Sequence, residues 1–315
     1  MRDICVKDNV GEKILVIKLG ALGDFVQAFG PFQAIREHHP SAHITLLTAP
    51  TFSALGSATG WFDAVWTDSR PSWWRFRERF ALRPKLNQGR FSRVYDLQTS
   101  KRSSSFYRSF KRPRPEWSGI ANGCSHPHAN SDRNFMHTIE RQAEQLAMAG
   151  VQPVLVPDLN WFDADTTHFR LEDGFVLIAP GGAVHRPEKR WPVKRYMELA
   201  NDLVAWGRRP VLVGGKEESD VLGEIAYGCR QARNLGGQTN IFDIAGLARR
   251  AIGAVGNDTG PMHIISAMGC PSVVLYSQAS NPDLCGQRGL SVKILRRTAL
   301  EGLAVAEVEA ALQCR

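Results

Sequence analysis

No apolar run in this chain approaches the roughly 18 residues that a membrane-crossing helix needs, so a helical integral membrane protein is not expected. The first ten residues carry Asp3, Lys7 and Asp8 and lack the apolar stretch of a secretory signal, which points to the cytoplasm. The six cysteines (Cys5, Cys124, Cys229, Cys270, Cys285 and Cys314) contain no C-x-x-C pair. Neither a zinc site nor a disulfide framework is expected, and the thiols should be reduced. His126, His128 and His137 lie close in sequence but have no carboxylates at metal-ligand spacing; the first two read as loop histidines, and no metal or cofactor is expected. The dinucleotide fingerprint G-x-G-x-x-G is missing, which weakens an NAD-dependent dehydrogenase. Without a recognition-helix or zinc motif, a nucleic-acid-binding protein is left as the non-enzyme alternative, supported only by charge.

What is present is ordinary globular composition over 315 residues, 43% hydrophobic and 22% charged, long enough for two domains with real cores. The formal net charge of +8 favours anionic partners such as nucleotides or acidic lipids.

The first half alternates strand and helix. Lys13–Leu19 (KILVIKL) reads as a central parallel strand. The turn Gly20-Ala21-Leu22-Gly23-Asp24 follows, then a helical pattern through Phe25, Val26, Phe29, Phe32 and Ile35. Its glycines allow close backbone approach. Asp24 is either a plain helix N-cap or a carboxylate at the carboxyl end of a strand, where open α/β sheets bind ligands. His43–Leu47, Ala64–Trp66 and Val94–Leu97 read as further strands. Between the last two, Arg70–Arg93 interleaves Trp73, Trp74, Phe76 and Phe80 with Arg75, Arg77, Arg79, Arg83, Lys85 and Arg90. Such a segment either lies at a membrane surface or grips an anionic substrate, or docks on its own domain with solvated arginines. Lys111–Pro115 (KRPRP) is a basic, proline-broken loop, and His137–Ala149 is a helix.

Val151–Asp173, with Pro153, Pro157 and several aspartates, reads as a linker, giving domains 1–155 and 156–315. The terminal helix Glu301–Leu312 is taken as a segment able to cross back to the first domain. The second half repeats the same grammar. Strands are expected at Phe175–Ala179, Pro210–Val213 and Ser272–Tyr276, and helices at Val193–Trp206 and Ile241–Arg250. Glu217 and Glu218 follow the strand that ends at Val213. They are either ribose ligands or helix-start carboxylates favoured there by the helix dipole. In Ala251–Gly269 a buried strand end breaks at Gly256-Asn257-Asp258-Thr259-Gly260-Pro261 and resumes as a helix. Asp258 and Thr259 suit an N-cap and Pro261 the first turn, and a helix N-terminus of this kind is an anion site or simply a well-capped end. His263, one turn in, is either a packed core histidine or a ligand.

Three stretches taken together, Gly20–Asp24, Lys189-Arg190-Trp191-Pro192 and Asn257-Asp258-Thr259-Gly260-Pro261-Met262-His263, resemble glycosyltransferase family 9, the lipopolysaccharide heptosyltransferases and their relatives. VYDLQTSKRSS from Val94 and HTIER from His137 also look like family segments. The resemblance implies an α/β fold of GT-B type, two Rossmann-like doubly wound domains facing across a cleft. The acceptor would sit in the first domain and the nucleotide-diphosphate sugar, ADP-heptose as best reading, in the second. It implies metal-independent transfer with inversion. Asp24 matches the family's catalytic carboxylate and Lys189 its phosphate-contacting lysine, with Asp258, Thr259, Gly260 and His263 at the donor. Gly20, Gly23, Gln98, Lys101 and Arg102 are expected on the acceptor side. The acceptor would be an anionic lipid-linked glycan, met by a monomer at the cytoplasmic face of the inner membrane, with no nucleic acid involved. Arg186-Pro187-Glu188 and Gln278-Ala279-Ser280 depart from the family pattern. A sugar-nucleotide epimerase or hydrolase of the same fold is the enzyme alternative.

Overall fold

The computed structural model describes residues 11–69, 76–182 and 186–315, with side chains omitted for 76–81. The chain divides into two compact units, Met1–Asp158 and Leu159–Arg315. Asp3, Lys7, Asp8, Cys5, Trp73, Trp74 and Arg75 lie outside the described residues, as do the side chains of Phe76, Arg77, Arg79 and Phe80.

The first unit is built on six strands: β1 (Lys13–Ile17), β2 (His43–Thr48), β3 (Ala64–Thr67), β4 (Arg93–Asp96), β5 (Glu116–Gly119) and β6 (His126–Pro127). All pair in parallel, in the order β3-β2-β1-β4-β5-β6. Ile14 to Ile17 have no solvent exposure, as the uninterrupted apolar run of β1 requires of a strand covered on both faces. The helices Leu22–Val26 and Phe29–His38 return the chain from β1 towards β2. Phe25 and Phe32 from these two helices meet edge to face at 5.3 Å.

The second unit repeats the plan with β7 (Phe175–Ala179), β8 (Arg209–Leu212), β9 (Arg233–Asn234), β10 (Gly253–Asn257), β11 (Ser272–Tyr276) and β12 (Val292–Arg296). Their order is β12-β11-β10-β7-β8-β9, again all parallel. The helix Val193–Ala205 buries Tyr196, Leu199, Ala200 and Leu203 on this sheet. In the terminal helix, Val305–Ala311, the residues Val305, Val308 and Ala311 pack into the core of the second unit together with Trp191 and Leu203.

Numbered within each unit, both sheets have the strand order 3-2-1-4-5-6. Each therefore has one topological switch point, between β1 and β4 in the first unit and between β7 and β10 in the second. In open α/β sheets the ligand crevice lies at the carboxyl ends of those two strands.

Four strands are absent from the sequence reading. β5, β9 and β12 are short or half-exposed, with polar residues that break the apolar pattern. His126, expected in a loop, forms the edge strand β6 with Pro127. Proline is tolerated there because an edge strand need not donate on its outer side.

Candidate active site

In the second unit, the turn after β7 and the turn after β10 meet through one side chain. Asn257, fully buried at the end of β10, donates to the carbonyls of Pro180 (2.7 Å) and Gly181 (2.9 Å) and accepts from Trp191 N (3.1 Å) and Tyr196 Oη (2.9 Å). This fixes Pro180, Gly181 and Trp191, which is two residues after Lys189, to the end of β10 just before the helix Gly260–Ala267. Lys189 Nζ donates to Asp258 Oδ2 at 2.7 Å, with the two side chains 14% and 10% exposed.

Asp258 holds further partners. Ser280 Oγ donates to Oδ2 at 2.8 Å, while Tyr276 Oη (2.9 Å) and Gln287 Nε2 (3.2 Å) donate to Oδ1. Burial pushes the carboxyl up, but the hydrogen bond and charge of Lys189, together with the Ser280 and Tyr276 hydroxyls, outweigh it and hold Asp258 below the usual carboxylate range. The same burial, with the Asp258 charge, pushes the Tyr276 phenol well up, so it stays a donor. Asp258 makes no cap bond to the helix. Thr259 occupies the N-cap position without a side-chain cap bond, and its Oγ1 is buried without a hydrogen-bond partner among the described residues. Gly260 opens the helix and Pro261 follows it, so the first backbone N–H groups lie beside that hydroxyl and carry the dipole's partial positive charge. His263 is buried, with Nε2 4.0 Å from Asp258 Oδ1.

Of the two glutamates, Glu218 accepts from Gly182 N at 3.0 Å and Gly215 N at 2.7 Å, tying the turn after β7 to the turn after β8. A Cβ on Gly181 would stand 1.6 Å from Glu218 Oε1, so that bridge requires glycine there. Glu217 is exposed.

In the first unit, the turn after β1 places Asp24 third in the helix Leu22–Val26, not at its N-cap. Ala21 is the N-cap, and its N–H donates to Asp24 Oδ2 at 3.3 Å. Gly20 has φ +114°, and a Cβ there would lie 2.4 Å from the Phe52 ring, so glycine is required on both counts. Gly20, Ala21, Phe52, Asp68 and Gln98 line a cavity of about 510 Å³ at this edge of the sheet. Gln98 Oε1 also accepts from Leu19 N at 2.7 Å, stitching the turn after β4 to the turn after β1. Gly23 is half-buried inside the helix turn and Lys101 is exposed at the start of the helix Lys101–Phe106. Arg102, 34% exposed, forms a two-point ion pair with the buried Asp68, at 2.9 and 2.7 Å.

Two titratable residues missed in the sequence lie at the carboxyl ends of β1 and β4, Lys18 and Asp96. Lys18 is buried and donates to Leu97 O at 3.1 Å. Burial pushes its ammonium down to about 8, opposed by the charge of Asp24 and reinforced by Arg141. Asp96, at the end of β4, has no exposure, and burial pushes its carboxyl up to about 6 against hydrogen bonds from Ser103, Thr99 and Gln98. Each was visible as a charged residue inside a strand-like apolar run. Among the described residues, no group of three or more His, Cys, Asp or Glu side chains is arranged to hold a metal ion. His137 caps the helix Thr138–Met148 through Nδ1, and His128 packs against Glu144.

Both switch points thus carry polar, partly buried groups of the kind that handle an anionic leaving group and a proton. The family model described as Glycosyltransferase family 9 (heptosyltransferase) matches residues 79–304. The chain belongs to glycosyltransferase family 9. It is 26% identical over 324 residues to lipopolysaccharide heptosyltransferase 2 of Escherichia coli K12, covering 90% of this chain and 88% of that one. A family 9 glycosyltransferase from Veillonella parvula superposes with a TM-score of 0.81 at 20% identity, covering 95% of each chain. An E. coli heptosyltransferase solved with ADP superposes with a TM-score of 0.76 at 19% identity, over 95% of this chain and 98% of that one. Those structures establish the shared fold, GT-B with two Rossmann-like domains. This family 9 member is a glycosyltransferase. No helix among its described residues is long and apolar enough to cross a membrane.

Proposed function

We propose that this protein transfers a heptose from ADP-heptose to a lipopolysaccharide-core or related lipid-linked glycan, inverting the anomeric carbon without a metal ion. The observation that carries the proposal is the convergence of Lys189, Thr259 and the Gly260–Ala267 helix N-terminus at the second sheet's switch point. A departing nucleoside diphosphate needs positive charge aimed at its oxygens. Preorganised donors of this kind are often the largest catalytic contribution. Lys189, the Thr259 hydroxyl and the Gly260 N–H supply that charge, and thereby take the place a metal would fill. Asp258 and His263 complete the donor site. Glu217 and Glu218 lie at its ribose end, with Glu218 fixed by two backbone N–H groups and Glu217 open to the ligand.

Single displacement through an oxocarbenium-like state requires a base for the attacking hydroxyl. Asp24 takes that role, with Gly20, Gly23, Gln98, Lys101 and Arg102 on the acceptor side. Arg102 acts there through Asp68. In this reading the first unit binds the acceptor and the second the donor. The net charge of +8 suits a monomer working peripherally at the anionic cytoplasmic face of the inner membrane. ADP as the nucleotide is supported by the ADP-bound E. coli relative.

The deciding experiment is a thermal-shift comparison of ADP, UDP, GDP, CDP and NAD, followed by turnover with and without acceptor. A nucleotide at 100 times its Kd stabilises by about 2.7 kcal/mol. Selective stabilisation by ADP, lost in Thr259→Ala and Lys189→Ala, is expected. Stabilisation by UDP or GDP alone would change the sugar. ADP release that ignores the acceptor would replace transfer with hydrolysis.

A further inference from the structure

A second cavity lies in the first unit, at the opposite edge of the sheet from Asp24. It measures about 810 Å³ and is bounded by residues just before β4 and just before β5, so it opens at the amino-terminal edge. Arg83, Arg90, Lys111 and Arg112 line it, and no carboxylate among the described residues does. Phe91 and Phe110, both packed into the unit's core, form an apolar floor.

The two basic stretches that meet here, 83–90 and 111–112, are far apart in sequence and are held together by one residue. Asn87 donates to Arg83 O (2.8 Å) and Ser109 O (3.0 Å) and accepts from Lys111 N (2.7 Å). The four cations are exposed and form no ion pair among the described residues. Their neighbours differ. Lys85 lies over the Trp66 ring and Arg114 over the Tyr107 ring. Among the described residues, two acids near this edge are engaged elsewhere, Glu12 by His39 and Glu116 by Arg93 and His126. Arg90 also adopts φ +49° directly after Gly89, at a helix end where glycine is the unstrained choice. The chain therefore keeps a cation there at some conformational cost.

We propose that this cavity is a second anion site, taking the phosphate group of an organic phosphate ester. Guanidinium forks match phosphate oxygens, and the apolar floor suits the organic portion of such a ligand. The volume is that of a small-molecule site and exceeds what a bare phosphate fills. The ester is either a soluble one or the headgroup of a phospholipid; the recognising chemistry is the same. The site is independent of the proposed donor site, which lies in the other unit.

The test uses the full chain at low salt and two probes. Glycerol 3-phosphate is titrated by calorimetry. Vesicles of phosphatidylcholine with one part in five phosphatidylglycerol are assayed by co-sedimentation against phosphatidylcholine alone. The variants are Lys111→Gln with Arg112→Gln, and Arg83→Gln with Arg90→Gln. Lys194→Gln with Lys293→Gln, exposed lysines of the second unit, is the charge-matched control. At least a tenfold loss of binding in both site variants, with the control unchanged, is expected for one probe; which probe responds identifies the source. Binding of neither probe, equal loss in the control, or no loss in the site variants would overturn the proposal. ADP stabilisation measured on the same samples reads the donor site separately, so its failure and the failure of this site are distinguishable.

Discussion

Lys189 Nζ and Asp258 Oδ2 meet at 2.7 Å across 69 positions of sequence, and both oxygens of Asp258 are fully engaged by protein groups. The sequence offered Asp258 both as a helix cap and as a residue at the donor. The geometry gives it a third task, holding the Lys189 ammonium in front of the helix N-terminus. Removing one partner of such a pair leaves a poorly solvated charge behind.

Lys189→Ala should therefore lose on the order of 3 kcal/mol of stability, read as a lowered melting temperature without ligand. Asp258→Asn keeps one acceptor oxygen, turns an NH2 towards groups that donate to the carboxylate, and leaves Lys189 without its counter-charge. Its KM for the sugar nucleotide should rise, kcat fall and the melting temperature drop as well. A melt for Lys189→Ala equal to wild type would show that the pair is not held in solution.

Asp24→Asn is expected to lower turnover by roughly 10²–10⁴-fold, the usual worth of a general base. Asp24 belongs to the unit that does not carry Lys189 or Thr259, so the Kd for ADP should not change. The comparison to make is single-turnover transfer beside ADP titration. Near-normal turnover would reduce Asp24 to its bond with the Ala21 N–H.

Asn257 is the residue on which the second site's geometry depends most. Asn257→Ala strands the Pro180 and Gly181 carbonyls and the Trp191 N–H in a buried place. Unmet buried groups cost about 1–3 kcal/mol each, so a loss of several kcal/mol in denaturant melts is expected. Asn257→Asp keeps an acceptor for Trp191 but faces two carbonyls with no N–H to give. It should show weakened ADP binding even where it stays folded.

The ease with which these elements could be read from sequence follows their burial. β7 and β11 (FVLIA and SVVLY) match their expected bounds because both faces are covered and every residue is apolar or small. The glycine turn after β1 and the Asn257–Gly260 break were equally legible, since a buried strand that ends in glycine and restarts as a helix has few other readings. The partners of those residues were not. Tyr276 and Gln287 reach Asp258 from 18 and 29 positions away, and no local pattern encodes such a contact. The partner of Arg102 was hidden for the same reason: only the folded chain reveals that Asp68, 34 positions earlier, holds it.

Asp96 offers a test by pH. Its carboxyl is pushed from an ordinary 3.8 up to about 6 by complete burial. Between those values the folded chain holds a proton that the unfolded chain has lost. Raising the pH therefore favours unfolding, and the contribution, full below 3.8, is gone once the pH has risen through 6. At 1.36 kcal/mol per pH unit, the step is about 3 kcal/mol. Asn at this position can still accept from the Gln98 and Thr99 N–H groups and has no proton to lose. Denaturant melts between pH 4 and 7 should show the wild type losing stability as pH rises, with Asp96→Asn flatter and more stable at pH 7. Parallel profiles for the two proteins would mean that Asp96 does not titrate in this range.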